Sequence, residues 1–169
     1  MRRLLLAAVL GTAAAGCGGN DPKTDPPAQA EVRARFDAWV KAWNVAKPAD
    51  LAPFYIQKDH LTVAWPDGQR TRGWTQEREL QASFLPPVTV MNLAPQSPAV
   101  VLVRADLALV TFPFTLDLLT STSRQIGPGQ GTMLWQKEGG AWKIYAAQLS
   151  YAKAVEAQLP EPPRRRGAI

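Results

Sequence analysis

Cysteine and histidine are almost missing from this chain of 169 residues, which has one of each, Cys17 and His60. A single cysteine closes no internal disulfide, and one cysteine with one histidine builds no zinc centre, so neither a metal nor another cofactor is expected. A Ser/His/Asp arrangement for nucleophilic catalysis has no support either, because the histidine has no identifiable nucleophile partner. The body of the chain also lacks a basic cluster. Lysine plus arginine exceed aspartate plus glutamate by 19 to 14, but Arg2 and Arg3 stand at the start and Arg164, Arg165 and Arg166 at the end. What lies between is close to neutral, with its cations scattered, and no nucleic-acid partner is expected. A phosphate loop is absent, since Gly127-Pro128-Gly129 is followed by neither Gly-Lys-Ser/Thr nor a helix start. No apolar run reaches the roughly 20 residues that a membrane-spanning helix needs.

What is present begins with a motif. Residues 1–16 have a basic start, a short apolar run and small residues at the end, the form of an export signal. Its last part, Ala14-Ala15-Gly16-Cys17, resembles a bacterial lipobox. That resemblance implies a diacylated Cys17 as first residue of the mature protein, and a domain held on the membrane of the cell envelope, outside the cytoplasm; an ordinary secretory signal with an incidental cysteine is the alternative. Residues 17–28, rich in Gly and Pro with almost nothing to bury, are expected to form a tether.

Residues 29–159 read as one α+β domain. Val32, Phe36, Trp39, Val40 and Trp43 recur at helical spacing and predict an amphipathic helix over 29–45. A short helix ends near Tyr55 and a strand follows over 59–65. A second amphipathic helix spans 74–84, with Trp74, Leu80 and Phe84 as its buried stripe. Strands are expected at 88–93, 99–104 and 107–119, the last with a bulge or bend at Pro113. Residues 121–131 read as a polar loop with a turn at Gly127-Pro128-Gly129. Residues 131–148 then read as a hairpin around Gly139-Gly140, with Glu138 paired to Ala141 and Trp135 opposite Ile144. Met133, Trp135, Trp142, Ile144 and Ala146 would share its core face. Residues 151–159 could add a short helix, and 160–169 a frayed tail.

Several segments resemble the NTF2-like superfamily, in particular its SnoaL-like and ketosteroid-isomerase-like branches: Phe36 to Asn44, Leu51 to Tyr55, the approach from Asp67-Gly68 to Gly73, Asp106 to Val110 and Leu134 to Ile144. The resemblance implies a cone in which a curved antiparallel sheet wraps the long N-terminal helix, with a pocket at its open end and commonly a homodimer through the outer sheet face. It does not imply one chemistry, since members include isomerases, cyclases, dehydratases and noncatalytic binding domains.

Steroid-isomerase chemistry needs a carboxylate base and an oxyanion-stabilising tyrosine. At the matching positions this chain has about Trp39 and Trp65, neither of which can act as a base, with Asp67 two residues from the latter. The expected pocket residues are Trp39, Trp43, Tyr55, His60, Trp65, Trp135 and Gln148, with core packing as the other role open to Trp39 and Trp43. The leading expectation is noncatalytic binding of a small apolar or aromatic ligand, or a dimeric interaction module. The alternative is an enzyme using His60 or Asp67.

Overall fold

The computed structural model describes residues 25–152 and 155–157. The expected export signal, Cys17, most of the expected tether and the expected tail lie outside the described residues.

Helix α1 (Pro26–Val45) starts where two prolines, preorganised for a first turn, follow Asp25, whose Oδ1 accepts from the Ala28 N–H at 3.1 Å. It buries Val32, Phe36, Trp39 and Trp43, one side chain per turn, and ends at Ala46 in the left-handed region, φ 56°. The short helix α2 (Pro48–Leu51) continues into a 3-10 turn over Ala52–Phe54.

Among the described residues the strands form a single sheet. Strands β1 (Thr62–Ala64) and β2 (Arg70–Arg72) precede helix α3 (Gly73–Phe84); then come β3 (Val88–Pro95), β4 (Ala99–Arg104), β5 (Leu107–Thr120), β6 (Arg124–Glu138), β7 (Ala141–Tyr151) and β8 (Val155–Ala157). The order is β2-β1-β7-β6-β5-β3, with β4 also on β5 and β8 also on β6. The expected α+β cone is therefore present, with one difference: the sheet is mixed, because β1 joins β7 in parallel. Register shifts at Val88/Val90, Leu102/Arg104 and Leu134/Trp135 bend the long strands around α1.

The hairpin has the expected register, Glu138 with Ala141 and Trp135 with Ile144, across glycines at φ 59° and 82°. Its core face differs beyond that point. The shift at Leu134/Trp135 leaves Tyr145 without a partner, so Ala147 and Leu149 turn inward and Ala146 and Gln148 turn outward.

Three further expectations are corrected. Residues 124–131 are not a loop but the first half of β6, paired with β5 from Arg124↔Leu119 onward without a break. Gly131 and Gly129 lie opposite Phe112 and Phe114, and a Cβ on either glycine would fall on the facing ring. The glycines here are flat floor under two aromatic rings, and need no turn. Second, Pro113 makes no bulge. It lies where the β4 pairing, ending at Thr111, gives way to the β3 pairing, starting at Phe114, so its missing N–H costs no rung; its carbonyl accepts from Gln96 N at 2.8 Å. Third, residues 155–157 form a strand, not a helix.

Helix α3 also faces the core differently. Gly73, Glu77 and Gln81 are its buried residues, Trp74 and Leu80 are half-buried, and Phe84 is exposed. The helix start decides this: Gly73 (φ 78°) donates to the Leu61 carbonyl at 2.8 Å, and its Cα packs where a Cβ would come 3.3 Å from the Asp59 backbone. With position 73 pinned inward, positions 77 and 81 follow at one turn each.

Candidate functional site

The open end of the cone holds two adjoining compartments. The inner one, about 60 Å³, lies among Trp39, Met91, Leu93, Phe114, Leu116 and Leu149. The outer one, about 180 Å³, is bounded by Leu80, Phe84 and Leu118 and carries the polar groups of Asp67, Gln69, Gln81, Thr120, Ser123 and Gln125. Trp43, Trp65, Pro66, Phe84 and Tyr151 border both. The walls come from several elements: Trp43 from the last buried turn of α1, Trp65 from the residue after β1, Gln81 and the exposed Phe84 from α3, Leu118 from β5 and Gln125 from its partner position on β6. The Trp43 and Trp65 rings meet edge to face with centroids 5.1 Å apart.

Behind the Trp65 and Gln81 walls lies a carboxylate that sequence reasoning missed. Glu77 is 0% exposed. One oxygen accepts from Thr71 Oγ1 at 2.6 Å and from Trp65 Nε1 at 3.2 Å; the other accepts from Gln81 Nε2 at 2.7 Å. Burial raises its pKa above the ordinary carboxylate range, against the lowering effect of the three donors. Glu77 therefore orients two wall residues without bordering the cavity itself. The signal available in the sequence was the spacing Gly73, Glu77, Gln81, a helical stripe overlooked because it is polar.

Tyr55 is buried, and its hydroxyl accepts from Trp39 Nε1 at 3.2 Å. Burial and then the charge of Glu77 raise its pKa. The buried indole N–H of Trp135 has no hydrogen-bond partner among the described residues; that of Trp43 lies near the Tyr55 hydroxyl, whose pKa it acts to lower. Tyr151, half-buried at the rim, has its phenol pushed up to about 12, first by burial and then by the Asp67 charge.

Of the residues expected in the pocket, Trp39, Trp43 and Trp65 border it. Tyr55 stands behind Trp39, and Trp135 is fully buried in the core away from both compartments. His60 is exposed in the turn before β1, its ring 5.0 Å from that of Tyr145, outside the cone. Gln148 is exposed on the outer sheet face, turned there by the same register shift that displaces Tyr145. Asp67 is at the rim, exposed, and accepts from the Gln69 backbone at 2.9 Å and the Gln69 side chain at 2.8 Å. Tyr151, Gln81, Phe84 and Gln125 are among the wall residues that the sequence pattern does not point to. Among the described residues no group of three or more His, Cys, Asp or Glu side chains is placed to hold a metal ion, and no helix is long and apolar enough to cross a membrane.

A bent sheet closed over one aromatic helix, with a cavity at its open end, defines a class. The SnoaL-like domain model matches residues 32–154, and the chain belongs to that family. Its fold is NTF2-like. An NTF2-like superfamily protein from Salmonella enterica serovar Typhimurium superposes with a TM-score of 0.68 at 17% identity, over 75% of this chain and 92% of that one. A candidate scytalone dehydratase from Novosphingobium aromaticivorans gives 0.68 at 12% identity, over 78% and 88%. A type 2 hexachlorocyclohexane dehydrochlorinase gives 0.64 at 13% identity, over 82% and 95%. Identities this low show a shared fold and nothing finer. Comparison of the sequence with curated proteins gives no match.

Proposed function

We propose that this SnoaL-like domain binds a small, largely apolar or aromatic ligand in its cone without transforming it. The observation that carries the reading is the lining: four aromatic side chains (Trp43, Trp65, Phe84 and Tyr151) border both compartments, while among the described residues Asp67 is the one charged lining residue and no histidine lines either compartment. An acid–base reaction would have to draw on Asp67 and Tyr151, because His60 points away from the cavity. Structural neighbours named as dehydratases and a dehydrochlorinase support keeping this enzymatic reading as the second one.

The outer sheet face supports a homodimer. One row across it runs Val101, Leu109, Leu134, Ala146 and Thr62, with no charge, and Val101 is 40% exposed. Native mass spectrometry of the purified protein addresses both points at once. A dimer carrying a bound mass of a few hundred daltons is the expected result; a bare monomer at micromolar concentration would count against the two proposals together.

The lipobox-like end of the signal supports anchoring by acylated Cys17. Acyl chains contribute about 0.8 kcal/mol per buried CH₂, enough for several chains to hold a domain on a bilayer. Full-length protein is expected in the membrane fraction and the Cys17→Ser variant in the soluble fraction, read by immunoblot after fractionation. Equal partitioning of the two would refute the anchor.

A further inference from the structure

We propose that the cone prefers ligands whose polar end is a protonated amine over ligands ending in a carboxylate or a phosphate. The inference rests on the cavity being a ligand site and names the head group that it selects. The inner compartment is bounded almost wholly by carbon and has no charge, so a ligand's apolar body belongs there and its polar end in the outer compartment.

That outer compartment is electrostatically one-sided. Among the described residues Asp67 is its single charged lining residue, and no lysine or arginine borders it. The described arginines next to it in sequence are turned away. Arg70 and Arg72 are exposed and flank Thr71, which points inward, so both project from the opposite face of β2. Arg124 alternates with the lining residues Ser123 and Gln125 and is held on the outer face by two bonds to Asp117, at 3.0 and 2.8 Å. An anionic head would meet a carboxylate with no cation among the described lining residues to offset it. An ammonium would meet that carboxylate together with the rings of Trp43, Trp65 and Tyr151, whose faces attract cations. Gln69, Gln125 and Thr120 add oxygen acceptors for the remaining N–H groups.

Three probes with one aromatic body separate the possibilities: 2-naphthylmethylamine, 2-naphthylmethanol and 2-naphthoate, titrated calorimetrically into the full domain at pH 7. The amine is expected to bind about tenfold more tightly than the naphthoate, and its affinity to fall as salt is raised. In Asp67→Asn, where the amide can still cap the turn through Gln69, the amine-to-alcohol affinity ratio is expected to drop toward one. An unchanged ratio in that variant, or a naphthoate that binds as well as the amine, overturns the inference while leaving the cavity reading intact. Failure of the alcohol as well as the amine to bind removes both.

Discussion

Replacing Gly131 by alanine is expected to cost about 3 kcal/mol or more, a large share of the 5–15 kcal/mol that holds a domain of this size together. The added Cβ would occupy the place of the Phe112 ring, and that ring cannot retreat. Phe112 is 1% exposed, with the Phe36 ring 4.7 Å away on one side and Phe114 at 6.0 Å on another. Because clash and ring are one physical event, the effects should not add. Phe112→Ala alone forfeits about 3–5 kcal/mol of burial, yet Gly131→Ala introduced into that background should cost far less than it does in the wild type. Urea denaturation of the four proteins measures the coupling. Strictly additive losses would show that Gly131 is needed for some reason other than the ring.

The second large effect belongs to Glu77. Substituting leucine strands Trp65 Nε1, Thr71 Oγ1 and Gln81 Nε2 in a buried place, and should destabilise the fold by about 3 kcal/mol. Glutamine is different: it retains an acceptor for Trp65 and Thr71, and reversal of the Gln81 amide can satisfy the other side. The two variants also part company in their pH dependence. Glu77 has a folded pKa raised above its unfolded value, so in the window between the two the native state binds more protons than the unfolded chain. Stability should therefore fall as pH rises from the ordinary carboxylate range, about 4.3, toward the raised folded value, and level off above it. Glu77→Gln should flatten that decline. Midpoints of urea unfolding from acid to neutral pH give the slope directly, and a wild-type slope unchanged in Glu77→Gln would mean that the carboxylate is not the group responsible.

Local chemistry made much of the fold legible. The Gly139-Gly140 turn set the hairpin register, and the four-turn stripe of α1 identified the helix that the sheet wraps. What could not be read depended on partners distant in sequence. Gly127-Pro128-Gly129 has the composition of a turn; only the Phe114 ring, arriving from β5, makes Gly129 a strand residue. One extra residue at Tyr145 carries no sequence mark, yet it reverses every side chain after it and moved Gln148 from the expected pocket to the outer face. The amphipathic pattern of α3 favoured Trp74, Leu80 and Phe84, but the glycine packed on the Asp59 backbone fixed the helix rotation and buried Glu77 instead. The site was legible where it is built from α1 and β1, as Trp39, Trp43 and Trp65, and illegible where it is closed by Gln81, Gln125 and Tyr151 from three other elements.

The central claim is that the open end of the cone receives a ligand. Calorimetric titration of 2-naphthylmethanol into the wild type and into Gln125→Trp tests it most directly, because Gln125 faces inward at the rim and an indole there would fill the outer compartment. One ligand per domain bound by the wild type, and heat of binding abolished in an equally stable Gln125→Trp, is the predicted result. Binding that is undiminished by filling the mouth, or no binding to the wild type at all, would contradict it.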